Sequence, residues 1–295
     1  MEVVKSNIDP QATGETIMCR WIAYSGPPIY LEQLMVHPEN SLIEQSRDAQ
    51  KSKTAINADG FGIGWYDKRP EPGLFRDVYP AWNDENLLNV CQQIRARLFF
   101  GHVRASTGAA INRANCHPFR YGNHLFMHNG QIGGFKALHR DLAMAIRPEF
   151  YPLLKGTTDS ELFFYLAMGN GLAETPERAL ALTVGQILDV MSVHKISEPF
   201  RLTAALSDGN TICAVRYAND DFPPSLYYGT DVLPETGTHD RPQISDDFPL
   251  VRDKACLILS EPLDEIAGSW ASVPPSSLLV AGNGRVEIKP FSPHH

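Results

Sequence analysis

The sequence predicts an α+β fold of stacked layers. Strand-like and helix-like segments fall in separated blocks rather than in strict alternation, and turn signals recur between short apolar runs as hairpins require. In chain order, the run CRWIAYS from Cys19 to Ser25 suits a buried strand that Gly26-Pro27-Pro28 stops. A helix is expected over Asn40–Ala49. In NADGFGIGWYD, Asp59-Gly60 makes a turn, and Phe61, Ile63 and Trp65 alternate with glycines in a strand that permits close backbone approach. Asp84–Arg97 reads as a helix with Leu87, Leu88, Cys91 and Ile94 on one stripe. LFFGHVRA and HLFMHNG read as strands, the second ending in a turn. Thr158-Asp159-Ser160-Glu161 has capping-box spacing ahead of LFFYLAM. Thr175-Pro176 opens a helix with Leu180, Val184, Ile187, Leu188 and Met191 on one side. The remainder is β-rich: RLTAALS and TICAVRYA flank Asp208-Gly209-Asn210, and SLLVA and RVEIKPF flank Gly282-Asn283-Gly284. Phe222 to Pro249, rich in Pro, Asp and Thr, is expected to be a long surface excursion.

Composition narrows the function. Of 295 residues, 43% are hydrophobic and 20% charged, which suits one large globular domain. A net charge of −8 argues against a nucleic-acid or anionic-membrane surface, because phosphate binding needs a basic face. No apolar run is long enough to span a bilayer, and the polar first 17 residues lack the apolar core of a secretory signal. Five cysteines without paired spacing fit reduced thiols in a cytoplasmic protein.

A free cysteine is more often a small buried hydrophobe than a catalyst. Cys91 lies on a helical stripe, and Cys213 and Cys256 lie inside strand patterns, so all three are assigned to the core. Cys116-His117, with His124 nearby in sequence, offers a zinc reading, but no CxxC or HxxxH partner accompanies it. Cys19 differs because Met18 precedes it. With Met18 gone, Cys19 carries the terminal α-amino group, whose ordinary pKa near about 8 leaves much of it neutral at cytoplasmic pH. That amine can take the proton of its own thiol, so one residue supplies nucleophile and base.

The surrounding motifs supply what an amino-acid amide would need. Arg104 in GHVRAST can fork onto an α-carboxylate. Asp159 in GTTDSE can accept from an α-ammonium group. The Asn129 amide and the Gly130 backbone N–H in HNGQIGG can converge on a developing oxyanion. Taken singly, Arg104 also suits an ion pair, Asn129-Gly130 a plain turn and Asp159 a helix cap.

Cys-Arg-Trp after a methionine, NADGFGIGWY, GHVRAST, NCHPF, MHNGQIGGF and GTTDSE together resemble the class II, N-terminal-nucleophile (Ntn), glutamine amidotransferase domain. The stand-alone branch, which includes the EgtC-type γ-glutamyl hydrolases and YafJ-like proteins, is the most similar. SEPLDEIAGSWASVPPSSLLV also resembles the close of that domain, so the likeness runs over residues 18–290. It implies a four-layer αββα sandwich of the Ntn-hydrolase type over residues 19–295, with residues 1–18 a leader absent from the mature enzyme. Cys19 would be the nucleophile and Asn129 with Gly130 the oxyanion hole. Arg104 and Asp159 would hold the carboxylate and ammonium of the substrate, with Thr107 and His102 lining the pocket. The implied reaction cleaves the γ-carboxamide of glutamine or of a γ-glutamyl amide through a thioester, with no metal or organic cofactor.

The chain departs from the larger relatives in lacking an evident second synthase domain. Ammonia would therefore pass to a separate partner, or the reaction is simple hydrolysis. Ala105-Ser106-Thr107-Gly108 follows Arg104 where many relatives carry a bulky side chain, which leaves the amine side of the substrate unread. Two further readings are a silent sensor that binds glutamine-like ligands through Arg104 and Asp159, and an ammonia-supplying subunit.

Overall fold

The computed structural model describes residues 19–48, 59–105, 110–230, 255–266 and 268–294. The expected leader and Thr107 lie outside the described residues. The amino-terminal half runs β1 (Arg20–Tyr30), α1 (Glu32–Met35), α2 (Leu42–Asp48), β2 (Phe61–Tyr66), β3 (Gly73–Asp77), α3 (Glu85–Gln93), β4 (Arg95–Val103), β5 (Phe119–Tyr121) and β6 (His124–Gln131). Then come α4 (Phe135–Ala145), α5 (Asp159–Gly169), α6 (Pro176–Val193), β7 (Arg201–Ser207), β8 (Ile212–Ala218), β9 (Tyr227–Thr230), β10 (Cys256–Leu259), β11 (Ala271–Ser272), β12 (Ser277–Gly282) and β13 (Arg285–Pro290).

The strands form two antiparallel sheets, one ordered β11-β9-β10-β1-β4-β2-β3 and the other β13-β12-β8-β7-β6-β5. Four stacked layers make three interfaces, and the buried apolar side chains fall into three groups to match. Alternation along each strand sorts them. In β1, Ile22 and Tyr24 join Leu34, Leu42 and Leu87 of α1–α3 on the outer face, whereas Trp21 and Ala23 face the second sheet. In β6, Leu125 and Met127 face the first sheet, whereas Phe126 packs with Leu138, Phe163 and Leu180 of α4–α6. The result is the αββα sandwich. Helix α5 is buried all round, from Ser160 to Gly169, because it lies beneath α4 and α6.

Several local expectations are revised. β1 does not stop at Gly26-Pro27-Pro28. Its register against β4 shifts between Ser25 and Ile29, so the prolines sit in a bulge where no ladder N–H is required, and the Tyr24 hydroxyl donates to Pro27 O at 2.6 Å across it. The helix expected to reach Arg97 ends at Gln93. From Arg95 the side chains alternate exposed and buried, and Ala96 pairs with Ile29, so the period is that of a strand. The Phe222–Pro249 stretch contains β9, which pairs with both β10 and β11; residues 231–249 lie outside the described residues. The glycine-spaced strand behaves as expected. A Cβ at Gly62 would stand 2.0 Å from His117 O, and one at Gly64 would stand 2.8 Å from Leu125 Cδ1. β2 can therefore lie directly against the His117-Pro118 segment and the second sheet.

Candidate active site

Cys19 immediately precedes β1, the central strand whose first residue, Arg20, pairs with Val103 of β4. That register brings Cys19 beside the residues after β4. The Ala105 N–H donates to Cys19 Sγ at 3.4 Å, and the thiol donates to Ala105 O at 3.5 Å. Burial pushes the Cys19 thiol above its ordinary value of 9.0. The Ala105 N–H and the guanidinium groups of Arg104 and Arg20 pull the other way, and Asp159 adds to the rise.

Arg104 is buried, at 4% exposure, and its backbone N–H donates to Gly60 O at 2.8 Å while its Nη1 donates to Asp59 O at 3.4 Å. The Asp59-Gly60 turn, with Gly60 at φ 110°, is thus the bracket that holds this end of β4. Asn129, on the inward face of β6, donates from Nδ2 to Cys19 O at 2.8 Å. An amide nitrogen carries two donors, so the second remains for a reacting group. Gly130 has φ 142°, and a Cβ there would meet Arg201 O at 2.0 Å, so both backbone and space demand glycine.

Asp159 opens α5. Thr158 caps the helix by accepting from Glu161 N at 3.2 Å. The reciprocal half of the capping box is not made, because the Glu161 carboxylate accepts from Lys155 N and Gly156 N instead. Asp159 Oδ2 accepts from Ile132 N at 2.9 Å and Oδ1 from Ser160 N at 2.8 Å. A carboxylate offers about four acceptor sites, so it retains capacity for a cation.

His102 is fully buried, and its ring packs against that of His117, tilted by 32° with centroids 4.3 Å apart. Burial pushes the His102 imidazole down to about 3 and His117 well below its ordinary value, so both are neutral. Among the described residues the His117 ring nitrogens have no hydrogen-bond partner, whereas the backbone carbonyl of His128 lies by the His102 ring and that of Arg201 by the His128 ring. Cys116 donates to Asp77 O at 3.3 Å, and among the described residues no group of three His, Cys, Asp or Glu side chains is placed to hold a metal ion. Cys91, Cys213 and Cys256 are buried core residues as expected; burial pushes the first two thiols up to about 12. No described helix is long and apolar enough to cross a membrane.

A family model for class II glutamine amidotransferases matches residues 41–295, well over half of the chain. The chain belongs to the class II glutamine amidotransferase family. It is 32% identical to the probable glutamine amidotransferase DUG3 of Saccharomyces cerevisiae, over 93% of this chain and 84% of that one. It is 25% identical to the γ-glutamyl-hercynylcysteine sulfoxide hydrolase of Mycolicibacterium smegmatis, over 93% of this chain and 100% of the other. Among solved structures, a glutamine aminotransferase class-II domain protein of Silicibacter pomeroyi superposes with a TM-score of 0.70 at 37% identity, covering 94% of this chain and 100% of that one. The glutamine phosphoribosylpyrophosphate amidotransferase of B. subtilis shares the fold at a TM-score of 0.57 and 15% identity, covering 93% of this chain and 49% of its own length. For this class II member, sequence reasoning named Cys19, Arg104, Asn129, Gly130 and Asp159. It did not single out Ala105, whose contribution is a backbone N–H, or His128, which reaches Ser160 beside Asp159 only through the packing of α5 on β6.

Proposed function

We propose that the chain cleaves the γ-carboxamide of glutamine or of a γ-glutamyl amide, with Cys19 as nucleophile in a mature enzyme that begins at that residue. The Cys19 thiol loses its proton to the freed α-amine, and the sulfur attacks the γ-carbonyl. The oxyanion accepts from the second Asn129 Nδ2–H and the Gly130 N–H. As it collapses, the C–N bond breaks and the amine departs with a proton, leaving a γ-glutamyl thioester that water hydrolyses to glutamate. Arg104 binds the substrate carboxylate and Asp159 its ammonium. We further assign Thr107 and His102 to the pocket lining, as the family resemblance implies.

The observation that carries this reading is the convergence on Cys19 of four groups from three parts of the fold: the residues after β4, strand β6 and the start of α5. Its sulfur takes the Ala105 N–H, its carbonyl takes the Asn129 amide, and Arg104 and Asp159 lie within electrostatic reach. Transfer of ammonia to a separate synthase remains the second fate of the amine, and the buried free thiols support a reducing, cytoplasmic setting.

The test is glutamate release from glutamine and a panel of γ-glutamyl amides by protein beginning at Cys19. Release is expected from at least one member, with a loss of about a thousandfold or more in Cys19→Ala. No release from any of them would favour a ligand-binding module, and undiminished release by Cys19→Ala would exclude the nucleophile.

A further inference from the structure

Side chains alternate along β6, so neighbouring residues serve opposite faces. Asn129 points inward to Cys19, and His128 points outward to α5, where its Nδ1 lies 2.8 Å from Ser160 Oγ. Ser160 Oγ lies in turn 3.3 Å from Asp159 Oδ1. His128 and Ser160 are 2% and 6% exposed, so solvent does not compete for these bonds.

The donor directions follow from chemistry. An ionised carboxylate only accepts, so the Ser160 hydroxyl donates to Asp159. Its lone pair is then left for a donor, which makes Nδ1 the protonated nitrogen of a neutral His128. Nε2 is then the bare nitrogen, and because the Arg201 backbone carbonyl lies beside it, an Nε2–H tautomer is the competing state. Thr203 Oγ1 donates to Asn129 O at 3.3 Å and pins the same stretch of β6 from β7.

We propose that Ser160 and His128 are positioning residues: the chain from His128 Nδ1–H through Ser160 Oγ–H to Asp159 Oδ1 fixes the carboxylate that recognises the substrate ammonium. It also ties that carboxylate to the strand bearing Asn129 and Gly130. The proposal rests on the reading of Asp159 as the ammonium anchor. Ammonium recognition and oxyanion placement are then set by one dipeptide, His128-Asn129, and cannot drift apart. Ser160→Ala keeps the Ser160 N–H and Ile132 N–H bonds to Asp159 and removes only the side-chain donor to Oδ1, so the carboxylate loses its tie to His128.

The experiment compares kcat and KM for L-γ-glutamyl anilide and for glutaryl anilide, the same acyl group without the α-amino group, on protein beginning at Cys19. Wild type prefers the γ-glutamyl substrate. Ser160→Ala is expected to lose roughly tenfold of that preference through KM, with kcat and thermal midpoint little changed and Ser160→Thr restoring it. His128→Asn, which keeps an N–H near the Nδ1 position, should retain more of the preference than His128→Leu. Asp159→Asn separates the two claims. If it leaves the preference intact, the ammonium reading fails and takes the relay with it. If Asp159→Asn abolishes the preference while folded Ser160→Ala and His128→Leu both keep it, the relay alone is overturned.

Discussion

Cys19 is poised between opposing influences: its burial disfavours the thiolate, and a backbone N–H and two guanidinium groups favour it. His102 and His117 are buried imidazoles packed ring against ring, which has a measurable consequence. Both imidazoles stay neutral in the folded chain but bind a proton below about 6.5 once unfolded. The unfolded state then holds more protons, so stability is full above that pH and falls as the pH drops toward 3. Denaturant unfolding between about pH 7 and pH 5 should show a loss approaching about 1.4 kcal/mol per pH unit for each histidine. His117→Phe should reduce that slope by about one histidine's share, and an unchanged slope would contradict the neutral pair. At this scale the polar ends of the site were readable, because Cys19, Arg104, Asn129 and Asp159 each carry distinctive chemistry. Ser160 beside a helix-starting carboxylate reads as a cap, and nothing in the order of residues says that a histidine from β6 will reach it.

Among the elements, β2 shows how small residues place large ones. Gly62 faces the His117 carbonyl, which is backbone and cannot swing aside, whereas Gly64 faces the flexible end of Leu125 and the edge of the Pro118 ring. Gly62→Ala should therefore cost about 1–3 kcal/mol, and Gly64→Ala measurably less, by denaturant unfolding. Equal costs would show that the His117-Pro118 segment yields. The alternation of glycine with Phe61, Ile63 and Trp65 made this strand legible. The two-residue Asn283-Gly284 turn was legible too, since both residues adopt positive φ, as the tightest hairpins require. β1 beyond its prolines was not, because a bulge removes the ladder bonds that proline would otherwise break. Nor were β3, β5, β9 and β11, five residues or fewer each, whose strand state depends on neighbours remote in sequence.

Over the whole molecule, two sheets sandwiched between helical layers bring the start of β1 against the ends of β4 and β6 and the start of α5. The catalytic geometry is thus a property of the stacked layers: β1 and β4 belong to one sheet, β6 to the other, and α5 to the outer layer that carries Asp159. Membership of the class II glutamine amidotransferases fits that architecture. Under the proposed mechanism the terminus of the mature chain is decisive, because Cys19 would lack its base while Met18 is attached. The most direct measurement is the intact mass of active protein quenched during turnover of a γ-glutamyl amide. The expected species is a chain beginning at Cys19 that carries one γ-glutamyl group on that residue, as peptide mapping would locate it. Full turnover by a chain that still carries residues 1–18, or an acyl group mapped to any other residue, would contradict the assignment of Cys19.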